Sequence, residues 1–216
     1  MPTPPSAFTD SDQVRGIDVS HHNETIDWGD VAQAGIQFAY IKATESAGFK
    51  DVRFRENYDG CKQANILRGA YHFFRANVDA LAQANSFSRV VRQLDSGDLP
   101  PVIDVESVDG TSISNLLKGM MIWLRAVEDA LGRKPVIYTG SSFWSRTIGS
   151  DRFNEIHLWV AQYTARPTPT VPKGFNDYRL WQFSQTGRVG GISGNVDLNR
   201  FNGTLAELQA LAGIEN

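Results

Sequence analysis

The chain has 216 residues, 41% of them hydrophobic, which is enough for one sizeable core in one domain. Its 21 basic and 24 acidic side chains leave a net charge of −3 and no long basic run, so neither nucleic acid nor an anionic membrane is expected as a partner. A single cysteine, Cys61, excludes an intrachain disulfide, and no run of 18 apolar residues is present to span a membrane.

The opening "MPTPPSAFTDSDQV" has no basic segment followed by an apolar one and does not read as a secretory signal. Residues 1–13 are expected to be a disordered lead, and residues 14–216 a single catalytic domain. Strand-like runs then alternate with helical patterns. "RGIDVSH" (15–21) and "GIQFAYIKATE" (35–45) read as strands. Phe54, Tyr58 and Cys61 recur at spacings of four and three, which predicts a helix over 51–64. "LRGAYHFFR" (67–75) is a strand, and a helix over about 77–95 places Leu81, Ala84, Phe87, Val91 and Leu94 on one side.

"PPVIDVES" (100–107) is the fourth strand. The helix over 112–131 carries Leu116, Leu117, Met120, Leu124, Val127 and Leu131 at helical spacing, and Gly132 stands where a left-handed C-cap is expected. "KPVIYTG" (134–140) and "IHLWVAQY" (156–163) are further strands. "YRLWQFSQTGRVGGISGNVDLNRF" has two strand-like halves around a glycine-rich turn, which predicts an antiparallel hairpin. A last helix opens with a capping-box match at Thr204 and Glu207 and ends near Gly213.

Repeated strand–helix units imply a parallel sheet. About eight strands in this length predict a closed α/β structure: an irregular TIM-like β/α barrel, mostly parallel, with antiparallel final strands. A doubly wound open sheet competes, but no glycine-rich phosphate loop follows the first strand.

Alternate residues of a strand share a face. Asp104 and Glu106 therefore point one way with Val102, and Ile103 and Val105 the other. In a barrel the apolar pair faces the helices and the acids face the lumen, late in the strand, at the rim where barrel enzymes place their chemistry. The same parity turns Asp18 inward against Ile17 and Val19, and Asp197 inward against Val196 and Leu198. Four carboxyl groups from three strands are expected to converge. Tyr71, Phe73, Tyr138, Trp159, Tyr163 and Trp181, with Gln182, are candidate substrate contacts, because flat rings beside acids suit the C–H faces of sugars.

The ordered set "GIDVSHHNETIDW", "FAYIKATES", "GAYHFF", "PPVIDVE", "PVIYTG", "LWVAQY" and "LWQFSQTGRVGGISGNVDLNRF", over about residues 15–203, resembles the glycoside hydrolase family 25 lysozymes, the muramidases of the Chalaropsis type. The resemblance implies cleavage of the β-1,4 bond between N-acetylmuramic acid and N-acetylglucosamine in bacterial peptidoglycan, with no metal or other cofactor. It matches Glu106 to the general acid, Asp104 to the group that orients or stabilises the reacting centre, and Asp18 and Asp197 to supporting acids. It also implies action outside the cell or at the wall, on glycan strands, by a monomer. Spacing alone does not separate Glu106 from Asp104, nor retention from inversion. A third route, attack by the substrate's own 2-acetamido group oriented by Asp104, is the favoured hypothesis.

Plainer readings compete. An isolated D-x-E is usually a solvated strand end. His21 and His22, adjacent in an extended segment, are expected to point apart, and with His72 and His157 isolated they read as loop or structural histidines. Lys42 and Glu45 fit an internal polar pair or cleft residues equally well, and the aromatics fit core filling. Cys61 reads as a buried helix residue. A glycan-binding barrel, a metal-dependent phosphodiesterase using Asp18, Asp104 and Glu106, and a chitinase-like barrel are the competing functions. The last requires a longer D-x-x-D-x-D-x-E spacing, of which "LPPVIDVE" holds only the end.

Overall fold

A computed structural model of the protein describes residues 13–214. Nine strands form one sheet: β1 (Arg15–Val19), β2 (Phe38–Glu45), β3 (Phe49–Lys50), β4 (Leu67–Phe73), β5 (Val102–Asp104), β6 (Val136–Gly140), β7 (Leu158–Ala161), β8 (Leu180–Gly187) and β9 (Val196–Phe201). Their order is β1-β9-β8-β7-β6-β5-β4-β2-β3, and a further β1–β2 pairing closes eight of them into a barrel. Two-residue β3 hangs on the end of β2 as a hairpin. Of the closing strands only β9 runs antiparallel to its neighbours. The predicted hairpin is present, but β8 itself is parallel to β7.

The helices are α1 (Trp28–Gln33), α2 (Phe54–Gln63), α3 (Ala80–Val91), α4 (Ile113–Leu131), α5 (Ser141–Phe143), which continues into a π-helical turn over Trp144–Ile148, and α6 (Leu205–Leu211). Their ends follow local chemistry. Asp79, Ser112 and Thr204 accept hydrogen bonds from the first turns of α3, α4 and α6, and Gly132 ends α4 at φ 69°. Asp79 starts α3 later than the pattern predicted, and Leu94 falls beyond its end. The buried face of α3 is Ala80, Gln83, Ala84, Phe87 and Val91, so Leu81, expected inside, is 49% exposed. The sequence pattern also missed α1, β3 and the turn over 141–148, all too short to show a period. The N-terminal lead assigned to residues 1–13 lies almost wholly outside the described residues.

Strand alternation divides the core into two layers. Ile17, Val19, Ile41, Ile103, Val105, Ile137 and Val160 pack outward against helices, with Leu116, Met120 and Trp123 of α4. Phe38, Tyr40, Val102, Val136, Tyr138, Trp159 and Leu180 fill the lumen. Gly16 and Gly69 make that filling possible. A Cβ at either position would run into the ring of Phe38 or Tyr40. The rings of Tyr40 and Trp159, 4.8 Å apart, form a floor beneath the C-terminal rim.

Candidate active site

Asp104 is the last residue of β5 and Glu106 lies two residues past it. Beyond the strand, Val105 N donates to Tyr138 O at 2.9 Å, and the Thr139 hydroxyl donates to Val105 O at 2.8 Å. These bonds hold the chain beside β6, so Glu106 keeps the inward parity of Asp104 but stands higher. Asp104 is 5% exposed, whereas Glu106 is open to solvent. Across the barrel Asp18 of β1 is paired in register with Asp197 of β9. All four carboxyl groups line one cleft of about 300 Å³ with Ser20, His22, Lys42, Tyr71, Phe73, Tyr138, Trp159, Tyr163, Gln182 and Gln185.

The cleft holds its acids without a matched set of cations, so protons must do the balancing. Asp18 Oδ2 accepts from Gln182 Nε2 at 2.9 Å and from Asn199 Nδ2 at 2.7 Å. Gln182 Oε1 in turn accepts from the Tyr138 and Tyr163 hydroxyls at 2.9 and 2.7 Å, and Asn199 Oδ1 accepts from Trp159 Nε1 at 2.9 Å. Every donor in this net points toward Asp18. Burial pushes Asp18 up to about 6, while Asn199, Gln182 and Asp197 pull it back by hydrogen bonding. Asp197 is pushed up to about 9 by burial, by the Asp18 charge and by hydrogen bonding to Asp18. The pair holds one proton at neutral pH, with the charge on the Asp18 side.

Asp104 is the second proton store. Burial first, then the charge of Glu106 and a hydrogen bond to it, raise Asp104 well above the carboxylate range. Its Oδ1 is buried and makes no hydrogen bond among the described residues. A buried oxygen without a partner beside an open carboxyl marks a place prepared for a ligand atom.

A larger cavity of about 510 Å³ opens at the other end of the barrel, between Ile36, Leu67, Arg68, Asp98 and Leu205. Its one carboxyl group, Asp98, is bound by Arg68 Nε at 2.6 Å, so no free acid faces it. The chemistry lies at the rim.

A profile of the Glycosyl hydrolases family 25 matches residues 17–192. The chain belongs to that family. Lysozyme M1 of Streptomyces globisporus is 42% identical over 214 residues, covering 94% of this chain and 72% of that protein. The N,O-diacetylmuramidase of Chalaropsis sp is 30% identical over 214 residues, covering 92% and 99% of the two chains. The crystal structure of the bacterial lysozyme from Streptomyces coelicolor superposes with a TM-score of 0.90 at 40% identity, over 95% of this chain and all of that one. The irregular TIM-like barrel and the glycoside hydrolase class are thereby established for this chain.

In the family 25 hydrolase, ten of the eleven residues singled out from the sequence line the cleft. Trp181 does not. It neighbours Gln182 on β8, so alternation sends it to the opposite face, where its Nε1 donates to Gln162 O at 2.8 Å and its ring packs on Phe183. Trp159 is 2% exposed and serves as floor more than wall. Lys42 and Glu45 prove to be both things expected of them: an ion pair at 2.7 Å, with the lysine on the cleft. The two adjacent histidines do not point apart. His21–Asn23 is a 3₁₀ turn capped by Ser20, and the two rings lie 4.0 Å apart. His21 Nδ1 meets Asp51 at 2.8 Å, leaving His22 to line the cleft. Among the described residues no group of three His, Cys, Asp or Glu side chains is set to hold a metal ion, and no helix is long and apolar enough to cross a membrane.

Sequence reasoning missed Asn199 and Gln185; alternation puts Ser20 on the face of Asp18, but it was not counted among the candidate site residues. Asn199 shares strand parity with Asp197, and the parity test extended by one step along β9 would have found it.

Proposed function

We propose that this hydrolase is a lysozyme, an endo-β-1,4-N-acetylmuramidase that cuts the bond between N-acetylmuramic acid and N-acetylglucosamine in bacterial peptidoglycan. The observation that carries the reading is the convergence of Asp18, Asp104, Glu106 and Asp197 on one cleft walled by Tyr71, Phe73, Tyr138 and Tyr163. Cleaving an acetal requires a proton on the leaving oxygen and stabilisation of an oxocarbenium-like carbon. Asp104 stores the proton in a buried position and Glu106 stands open to the substrate.

In the mechanism we infer, the proton stored on Asp104 crosses their hydrogen bond to Glu106, which hands it to the leaving oxygen and is left ionised. Asp104 then becomes a carboxylate and accepts the N–H of the substrate's 2-acetamido group. The acetamido oxygen attacks the anomeric carbon as the glycosidic bond breaks, giving a cyclic oxazolinium. Glu106 takes a proton from water, which opens the ring with net retention. Asp18, ionised and held by Gln182 and Asn199, supports the developing positive charge. Residues 14–216 act as one catalytic domain, as a monomer, at the cell wall.

Mass spectrometry of digested peptidoglycan tests the bond assignment, with products ending in reducing N-acetylmuramic acid expected. Products ending in reducing N-acetylglucosamine would refute it. An early NMR time course tests the route, since an α-anomeric first product would exclude acetamido participation.

A further inference from the structure

Resting on that reading, we propose that Lys42 is the residue that recognises the 3-O-lactyl group of N-acetylmuramic acid, through its terminal ammonium. Among the described lining residues Lys42 is the one lysine or arginine in a cleft built around carboxyl groups. It is 8% exposed, and among the described residues the one hydrogen bond its Nζ makes is to Glu45 Oε2, at 2.7 Å. An ammonium carries three N–H donors, so two remain for something that enters the cleft.

The surroundings hold that ammonium in place. A bulge follows Lys42 in β2, after which the Thr44 hydroxyl turns to the buried ring of His72 and Glu45 comes back beside the lysine. The Phe73 and Phe49 rings lie 5.1 and 5.5 Å from Nζ. Behind it, Glu45 Oε1 is gripped by Arg75 through Nη2 at 2.6 Å and Nε at 3.0 Å. Glu45 therefore divides its charge between two cations, and Lys42 keeps positive potential toward the cleft. A lysine present only to neutralise Glu45 would be redundant beside Arg75.

The ligand chemistry follows from what a β-1,4 glycan of this kind displays. Hydroxyls and acetamido groups occur on both of its sugars. The lactyl ether occurs on one, and it ends in a carboxylate or, where a peptide is attached, in an amide carbonyl. An ammonium donates to either oxygen, and more strongly to the carboxylate. Lys42 thus separates N-acetylmuramic acid from N-acetylglucosamine at the wall of the cleft formed by β2 and β4.

Titration calorimetry on the Glu106→Gln protein, which retains the cleft but not the proton donor, tests this with two peptide-free tetrasaccharides. One alternates N-acetylglucosamine and N-acetylmuramic acid, and the other is chitotetraose. Adding Lys42→Met is expected to weaken the muramic ligand about tenfold or more and chitotetraose less than about twofold, with Lys42→Arg in between. Equal weakening of both ligands would reduce Lys42 to a structural counter-ion, and no weakening of either would remove it from recognition; each overturns the proposal. If neither tetrasaccharide binds Glu106→Gln and the wild type releases no muropeptides, the muramidase reading fails, and this one with it.

Discussion

Asp98, four residues before β5, and Asp104, its last residue, stand six residues apart and are 2% and 5% exposed. Burial penalises both equally in kind. At the closed end, Asp98 Oδ1 accepts from Arg68 Nε at 2.6 Å and Oδ2 from Asp95 N at 2.8 Å, while the guanidinium lies 3.8 Å from the Tyr58 ring centre. At the open end, Asp104 has no such cation, keeps one oxygen bare and retains its proton. A buried acid compensated by a fixed cation is structural. One compensated by a proton is available for chemistry, because a proton can leave.

The hardest test of that contrast is Glu106→Gln. The amide keeps the shape of the side chain but has no acidic proton, and Glu106 is solvent-exposed, so the fold loses nothing. Wall clearing is expected to fall about a thousandfold with an unchanged melting temperature. Full activity in a turbidity assay would leave the cleft without its proton donor and end the argument from convergent acids.

Paired substitutions at the two ends sharpen the contrast. Arg68→Met strands the Asp98 charge in the core and is expected to cost about 3–5 kcal/mol of stability, with activity per folded molecule retained. Asp104→Asn removes an acid to which, among the described residues, no cation is hydrogen-bonded. It is expected to leave the melting temperature equal or higher while activity drops about a hundredfold. Chemical denaturation beside initial rates separates the two. The comparison breaks if Asp104→Asn destabilises as much as Arg68→Met.

How much of this could be read from the sequence follows from what alternation encodes. A period of two states which face a side chain takes, and it turned Asp18, Asp104 and Asp197 inward correctly. It does not state who the neighbour is. Gln182 and Asp18 are 164 residues apart and meet because β9 lies between β1 and β8 and pairs with both in a fixed register. The direction of every proton in the cleft depends on that register. Trp181 was misplaced because aromatic type was allowed to outweigh parity. The histidine pair was misplaced because Ser20 and Asn23 cap a 3₁₀ turn directly after β1, a break that strand-like composition conceals. The bulge that turns Glu45 back to Lys42 leaves no mark in composition either.

The smallest effect concerns the pH dependence of the fold, and it reaches the Asp18–Asp197 pair. A carboxyl group whose pKa is higher folded than unfolded binds its proton more tightly in the native state. Its share of stability is then complete below the unfolded value of 3.8 and declines as pH climbs toward the folded values, about 6 for Asp18 and about 9 for Asp197. The rim therefore opposes folding with rising alkalinity. Asp197→Asn deletes the later titration and leaves an amide able to donate to Asp18. Melting temperature measured from about pH 4 to about pH 9 is expected to decline less steeply in the variant, with the two curves meeting near pH 4. Curves that run parallel over that range would mean that the proton is not held between these two strands, and the division between a paired and a protonated end would then rest on Asp104 alone.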